Sequence, residues 1–208
     1  SQLRLDPLAG LQVSDAATLA AQLHPHLDPD TPALIGQLYD RSLASDLKLT
    51  LMNLYPDDPP GVLHRGIGSP GASAESVPLY ELDHEGEFDH LTSLFIPPLL
   101  TPGSLSTLQG LVARLRAPDG CPWDREQTHR SLAPYLLEEC YEALEALDLE
   151  DSEGLCEELG DLLLQVLLHL QIAVEEGEFK SPDVLGGIIA KILRRHPHVF
   201  GDAELATP

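Results

Sequence analysis

The stretch from Glu138 to Asp161, EECYEALEALDLEDSEGLCEELGD, decides the fold of the second half of this chain. It reads as the end of one helix, a tight acidic turn at Glu150-Asp151-Ser152, and the start of another helix. The first is expected from Ser131, as N-cap, to about Leu149; the second continues to about Glu176, where Gly177 can stop it. Glu139 and Glu142 lie three positions apart, as do Glu158 and Asp161, so each pair occupies one face of its helix. Folding the two helices antiparallel about the turn sets Glu142 level with Glu158 and Glu139 level with Asp161. Four carboxylates then surround one small volume.

The residues that follow bear on whether that volume is solvated. Leu162-Leu-Leu-Gln-Val-Leu-Leu is apolar on almost every side, which calls for burial against more than one neighbour and, since one hairpin cannot supply it, for a second copy of the chain. Gly160 costs about 1 kcal/mol of helix propensity and suggests close approach of another backbone or a ligand. Clustered carboxylates repel and raise their own pKa values unless cations neutralise them. Oxygen-only donors suit Mg²⁺ or Mn²⁺. The competing reading is of solvated surface acids, as in most glutamate runs. A di-iron bundle requires Glu-x-x-His units, and neither Glu142 nor Asp161 belongs to one.

Working outward, a helix is expected from Ser104 to Arg116, with Leu105, Leu108, Leu111, Val112 and Leu115 on one face, and a turn-rich loop from Ala117 to Arg125. A last helix covers about Pro182 to His196 and ends at Pro197. It carries Lys191, Arg194 and Arg195, and Lys191 and Arg195 share a face. Facing a metal site, they suit the phosphates of a nucleotide; alternatively they stabilise their own helix dipole. Trp123, the one tryptophan of the chain, either stacks on a nucleobase or plugs the core. Arg125 and Arg130 are further phosphate candidates, whereas His129, His196 and His198 read as structural or solvated.

The first half has a different grammar. Pro32 to Tyr39, Gly61 to Ile67, Val77 to Leu82 and Leu91 to Ile96 are strand-length runs between turn clusters, and Asp40 can cap a helix reaching Leu54. Pro97-Pro98 and Thr101-Pro-Gly mark a boundary. The expected fold class is α+β overall: a small α/β N-terminal subdomain over residues 1–100, then an all-α helical bundle over 101–208.

Composition narrows the partners. The chain has 208 residues, 43% hydrophobic and 22% charged, ordinary for a chain that buries a core. Its 12 Lys+Arg against 34 Asp+Glu give a net charge of −22, which opposes binding to nucleic acid or an anionic membrane. Cys121, Cys140 and Cys156 form no CxxC pair and read as free thiols in a reducing cytoplasm. The opening SQLRLDPLAG has no apolar core after a basic start, so no signal peptide is expected, and the start at Ser1 suggests that upstream residues were removed.

The segments CPWDREQTH (121–129), YLLEECYEALEAL (135–147), EELGDLLLQVLLH (157–169) and RRHPHVFGD (194–202) resemble a MazG-type nucleoside triphosphate pyrophosphohydrolase, with its EExxE and ExxD elements intact. The resemblance implies an all-α, Mg²⁺-dependent, usually dimeric enzyme that converts a nucleoside triphosphate to the monophosphate and pyrophosphate. It places metal ligands on Glu139, Glu142, Glu158 and Asp161, and phosphate-binding residues on Lys191 and Arg195. The expected mechanism has the metal bridge the triphosphate and activate a water, with Glu138 or Glu157 as general base and Lys191 and Arg195 offsetting developing charge. In the first half, DPLAGLQVSDA (6–16), IGQLYDRSLASDLKLTLMNLYPDD (35–58), VPLYELD (77–83) and DHLTSLFIPPL (89–99) are similar to the C-terminal part of a tetrapyrrole (corrin/porphyrin) methylase domain. The Gly-rich half that begins such a domain is missing, so methyl transfer by residues 1–100 is not expected. The rival function is a non-catalytic metal-binding dimerisation module attached to this methylase remnant.

Overall fold

The computed structural model describes residues 10–56, 60–84 and 87–201. The chain divides into two compact units, Ser1–Thr107 and Leu108–Pro208.

The first unit is built on a five-stranded mixed sheet of order β1-β2-β5-β3-β4. Its strands are β1 (Gln12–Asp15), β2 (Ala33–Gly36), β3 (Pro60–Arg65), β4 (Ser73–Pro78) and β5 (Thr92–Ile96). β1 and β2 run parallel, and the other neighbours are antiparallel. Helices α1 (Ala16–Ala20) and α2 (Arg41–Leu51) pack against each other. Asp15 caps α1, and Asp40 caps α2 by accepting from the Leu43 N–H at 2.8 Å. α2 stops at Leu51, three residues short of the expected Leu54. Ile35, Leu38, Leu47, Leu51, Leu63, Leu94 and Ile96 fill the core between helices and sheet.

The expected strand over Val77 to Leu82 fails for a physical reason. Only Val77 and Pro78 of the run Val77 to Leu82 are strand; Leu79–His84 is a 3-10 helix. Leu79 and Leu82 are both fully buried. Three residues per turn puts both on one face, whereas a strand would send them to opposite faces. β4 begins instead at exposed Ser73-Ala-Glu-Ser, held by backbone pairing to β3 rather than by burial. Polar edge strands carry no hydrophobic alternation to read.

Asp30 closes the end of this unit. Its carboxylate accepts from the backbone N–H groups of Gly103 (2.8 Å) and Ser104 (3.1 Å) and from the Thr107 hydroxyl. These bonds, that from Thr107 foremost, hold its pKa down at about 2.

The second unit is helical: α3 (Leu105–Leu115) leads into it, followed by α4 (Pro122–Glu126), α5 (His129–Asp148), α6 (Ser152–Glu176), α7 (Ser181–Arg195) and α8 (Pro197–Phe200). The expected loop 117–125 thus contains most of a short helix. α5 starts earlier than expected because Thr128, not Ser131, is its N-cap. Thr128 Oγ1 accepts from the Ser131 N–H, and Ser131 Oγ accepts from the Thr128 N–H, a reciprocal capping box. Asp151 caps α6, and Gly177, at φ 71°, ends it. α5 and α6 pack along each other as a hairpin. Val112, Leu132, Leu167, Leu168 and Ile172 form the core. α7 contributes nothing to it: Val184, Leu185, Ile188, Ile189, Ile192 and Leu193 are each between 42 and 54% exposed.

Candidate functional site

The α5/α6 hairpin sets the heights of its acidic side chains. Caps at Thr128 and Asp151 fix where each helix starts, and the short turn between Asp148 and Ser152 fixes their relative register. Carboxylate oxygens of Glu139, Glu158 and Asp161 lie within 4.8 Å of one another. All three side chains are half-buried. Glu142, one turn along α5 from Glu139, is exposed and lies outside that group of three. It is still close enough for its charge to act on both Glu139 and Glu158.

The electrostatics are those of crowded acids that pair with no cation among the described residues. Burial raises the Glu139 pKa above its ordinary value, and the charges of Asp161, Glu142 and Glu158 raise it further. Burial again leads in raising Glu158, followed by Glu142, Asp161 and Glu157. Three carboxylate oxygens converging on one point form a donor set that a hard divalent cation fits.

The other expected site residues are placed differently. Glu138 and Glu157 are exposed on the neighbouring helix positions. Lys191, Arg194 and Arg195 lie in the last turns of α7, all exposed, and among the described residues none pairs with a carboxylate within 4.0 Å. Trp123 on α4 is 54% exposed, so it does not plug the core; its ring meets Tyr135 edge-on at 6.2 Å. Arg125 lines a groove with Arg116, Gln171 and Glu175. Gly160, expected to mark a close approach, has none: a side chain built there would meet nothing within 4 Å among the described residues.

Two groupings escaped the sequence reading. The Arg116 side chain, only 5% exposed, holds Glu175 through Nη2 at 2.8 Å and through Nε. It also donates to the carbonyls of Asp124 and Gln127, and so ties the α4 segment carrying Trp123 and Arg125 to α6. Burial pushes the Glu175 pKa up, but hydrogen bonds from Arg116 and Gln171 more than offset it and leave it lowered. The second grouping joins His129 to His169. The matched-height reasoning that pairs Glu139 with Asp161 also brings these two histidines level, so that signal was present.

Residues 127–200 match the family described as MazG nucleotide pyrophosphohydrolase domain. A Bacillus subtilis (strain 168) protein described as uncharacterized protein YabN is 48% identical over 210 residues, covering 98% of this chain and 42% of that protein. The nucleoside triphosphate pyrophosphohydrolase/pyrophosphatase MazG of Thermotoga maritima is 55% identical over 96 residues, 46% of this chain and 38% of that protein. The nucleoside triphosphate pyrophosphohydrolase of Escherichia coli (strain K12) is 51% identical over 101 residues, 48% of this chain and 38% of that protein. The chain therefore spans less than half the length of these relatives. No helix among the described residues is long and apolar enough to cross a membrane. All four carboxylates of the hairpin fall inside the stretch, residues 127–200, that matches this family.

Proposed function

We propose that this chain is a divalent-metal-dependent nucleoside triphosphate pyrophosphohydrolase, converting NTP or dNTP to the monophosphate and pyrophosphate. The observation that carries the reading is the convergence of Glu139, Glu158 and Asp161 oxygens within 4.8 Å. Glu142 completes the set as a fourth ligand, its exposed side chain free to turn toward the other three. Mg²⁺, or Mn²⁺, bound there supplies positive charge to a polyphosphate and lowers the pKa of a bound water.

The chain's own residues do the rest. Glu138 or Glu157 accepts the proton of the attacking water. Lys191 and Arg195, one turn apart on α7, balance charge on the phosphates, with Arg194 and Arg125 as further donors and Trp123 as a stacking face for the base. The named activities of the Thermotoga maritima and Escherichia coli relatives support the reaction class. The apolar face of α7, together with exposed Leu159, Leu163 and Val166 on α6, supports a homodimer. Residues 1–100 form a subdomain like the C-terminal part of a tetrapyrrole methylase domain, and residues 101–208 act as the hydrolase. The free cysteines and the absence of a bilayer-spanning helix among the described residues fit a cytoplasmic protein that engages neither membrane nor nucleic acid.

Pyrophosphate release from a panel of nucleotides, with Mg²⁺ and with chelator, tests the reading. Release that requires Mg²⁺ supports it. No release from any nucleotide favours the non-catalytic metal-binding dimerisation module.

A further inference from the structure

His129 and His169 meet at the opposite end of α5 from its turn. Ten residues of α5 separate His129 from Glu139, about 15 Å of helix axis. The two Nδ1 atoms are 2.7 Å apart. The ring centroids are 5.0 Å apart and the planes differ by 4°. So long a centroid separation beside so short a nitrogen–nitrogen distance puts the rings edge to edge in nearly one plane. One proton is shared: one ring donates Nδ1–H and the other accepts. Both Nε2 atoms are buried, with no hydrogen-bond partner among the described residues.

Two carboxylates face this pair. Glu176 ends α6 and Glu178 follows the left-handed Gly177, which reverses the chain between them. A ring nitrogen of His129 and one oxygen from each glutamate lie within 4.8 Å of one another. His129 Nε2 stands 3.5 Å from Glu178 Oε2, beyond a good hydrogen bond. A buried nitrogen without a partner, set against two acids, calls for a cation between them.

We propose that His129, Glu176 and Glu178 bind one Zn²⁺, with His169 as the positioning residue that keeps His129 in its ligating tautomer. When His129 Nδ1–H donates to His169 Nδ1, the His129 Nε2 lone pair faces the two glutamates, the usual arrangement behind a metal-bound histidine. One imidazole and two carboxylates are a mixed nitrogen–oxygen set that suits Zn²⁺ with an open fourth position. The all-oxygen group at Glu139 suits Mg²⁺ instead, so ligand type separates the two sites. Ligand distances of about 2.0–2.2 Å require the set to contract, which the exposed Glu176 and Glu178 side chains permit. This assignment stands whether or not the chain hydrolyses nucleotides.

The test is calorimetric titration of Zn²⁺ into the full chain carrying Glu139→Gln and Asp161→Asn, with Mg²⁺ present, so that the carboxylate group does not compete. One equivalent of uptake is expected. Adding Glu178→Gln or His129→Gln should weaken it by more than about a hundredfold, and His169→Phe by about 10–100-fold. Long-range ¹H–¹⁵N imidazole spectra should show the His129 Nε2 resonance shifting on Zn²⁺ addition. Glu178 is exposed and lies beyond the end of α6, so Glu178→Gln leaves the helices intact even if His129→Gln disturbs the start of α5. No uptake, or uptake that Glu178→Gln leaves unchanged, overturns the site.

Discussion

Glu139 on α5 and Asp161 on α6, on opposite sides of the hairpin turn, present carboxylate oxygens within 4.8 Å of each other. Helix register, not chance proximity of flexible side chains, puts them there. Changing either should remove a cation ligand without disturbing the apolar face that holds the hairpin. Asp161→Asn and Glu139→Gln are each expected to lower Mg²⁺-dependent pyrophosphate release by more than about a hundredfold, while far-ultraviolet circular dichroism stays unchanged.

The same crowding makes the metal-free protein sensitive to pH. Glu139 and Glu158 have folded pKa values raised above the ordinary 4.5. A carboxyl of this kind binds its proton more tightly in the folded state, so its contribution is largest at low pH. That contribution is lost as pH climbs from the ordinary value through the raised one. Asp161→Asn should therefore raise the metal-free Tm at pH 7.5, and the gain should shrink as pH falls toward 4. Mg²⁺ at a hundred times its Kd should stabilise the unaltered chain by about 2.7 kcal/mol and the variant far less. Thermal melts with and without Mg²⁺ at the two pH values check both expectations.

Asp30 has the opposite sign. Its folded pKa, about 2, lies below the ordinary 3.8. Its stabilising effect is thus present above the ordinary value and disappears as pH drops from there to about 2. Asp30→Ala leaves the N–H groups of Gly103 and Ser104 without their acceptor and should cost about 1–2 kcal/mol at pH 7. The cost should shrink as pH falls from about 4 through about 2. Urea titrations at several pH values measure it.

Arg116 holds both Glu175 and the backbone of the α4 segment. Arg116→Met abandons a partly buried carboxylate and two carbonyls, at a cost of about 2–4 kcal/mol. Trp123 is the one tryptophan, so its fluorescence reports the α4 segment alone. Acrylamide should quench it more strongly in the variant.

The uncovered face of α7 predicts self-association. Light scattering on the full chain should give a dimer mass, and Ile189→Glu, at a position 54% exposed in the single chain, should shift it toward monomer.

Much of the helical unit was legible because its information is local. The apolar period of α3, the Gly177 stop and the acidic turn around Asp151 each act within one or two helical turns. Once helix type and turn length are known, the levels of Glu139, Glu142, Glu158 and Asp161 follow from a constant rise per residue. Where the local signal was ambiguous, the reading slipped. Ser131 looked like a cap but serves as the third residue of a capping box, and the leucines at 79 and 82 looked like strand but share a 3-10 face.

The sequence by itself determined that this chain is a strand-and-helix unit followed by a helical hairpin with acids at matched heights, because hydrophobic period and helix rise are properties of neighbouring residues. The tertiary structure alone decided that polar Ser73–Ser76 pair as a sheet edge, that Arg116 reaches Glu175 across 59 positions, and that Trp123 stays half-exposed. It also decided that nothing within the described residues crowds Gly160. Each of these depends on how distant segments close on one another, and no spacing within a single element encodes that.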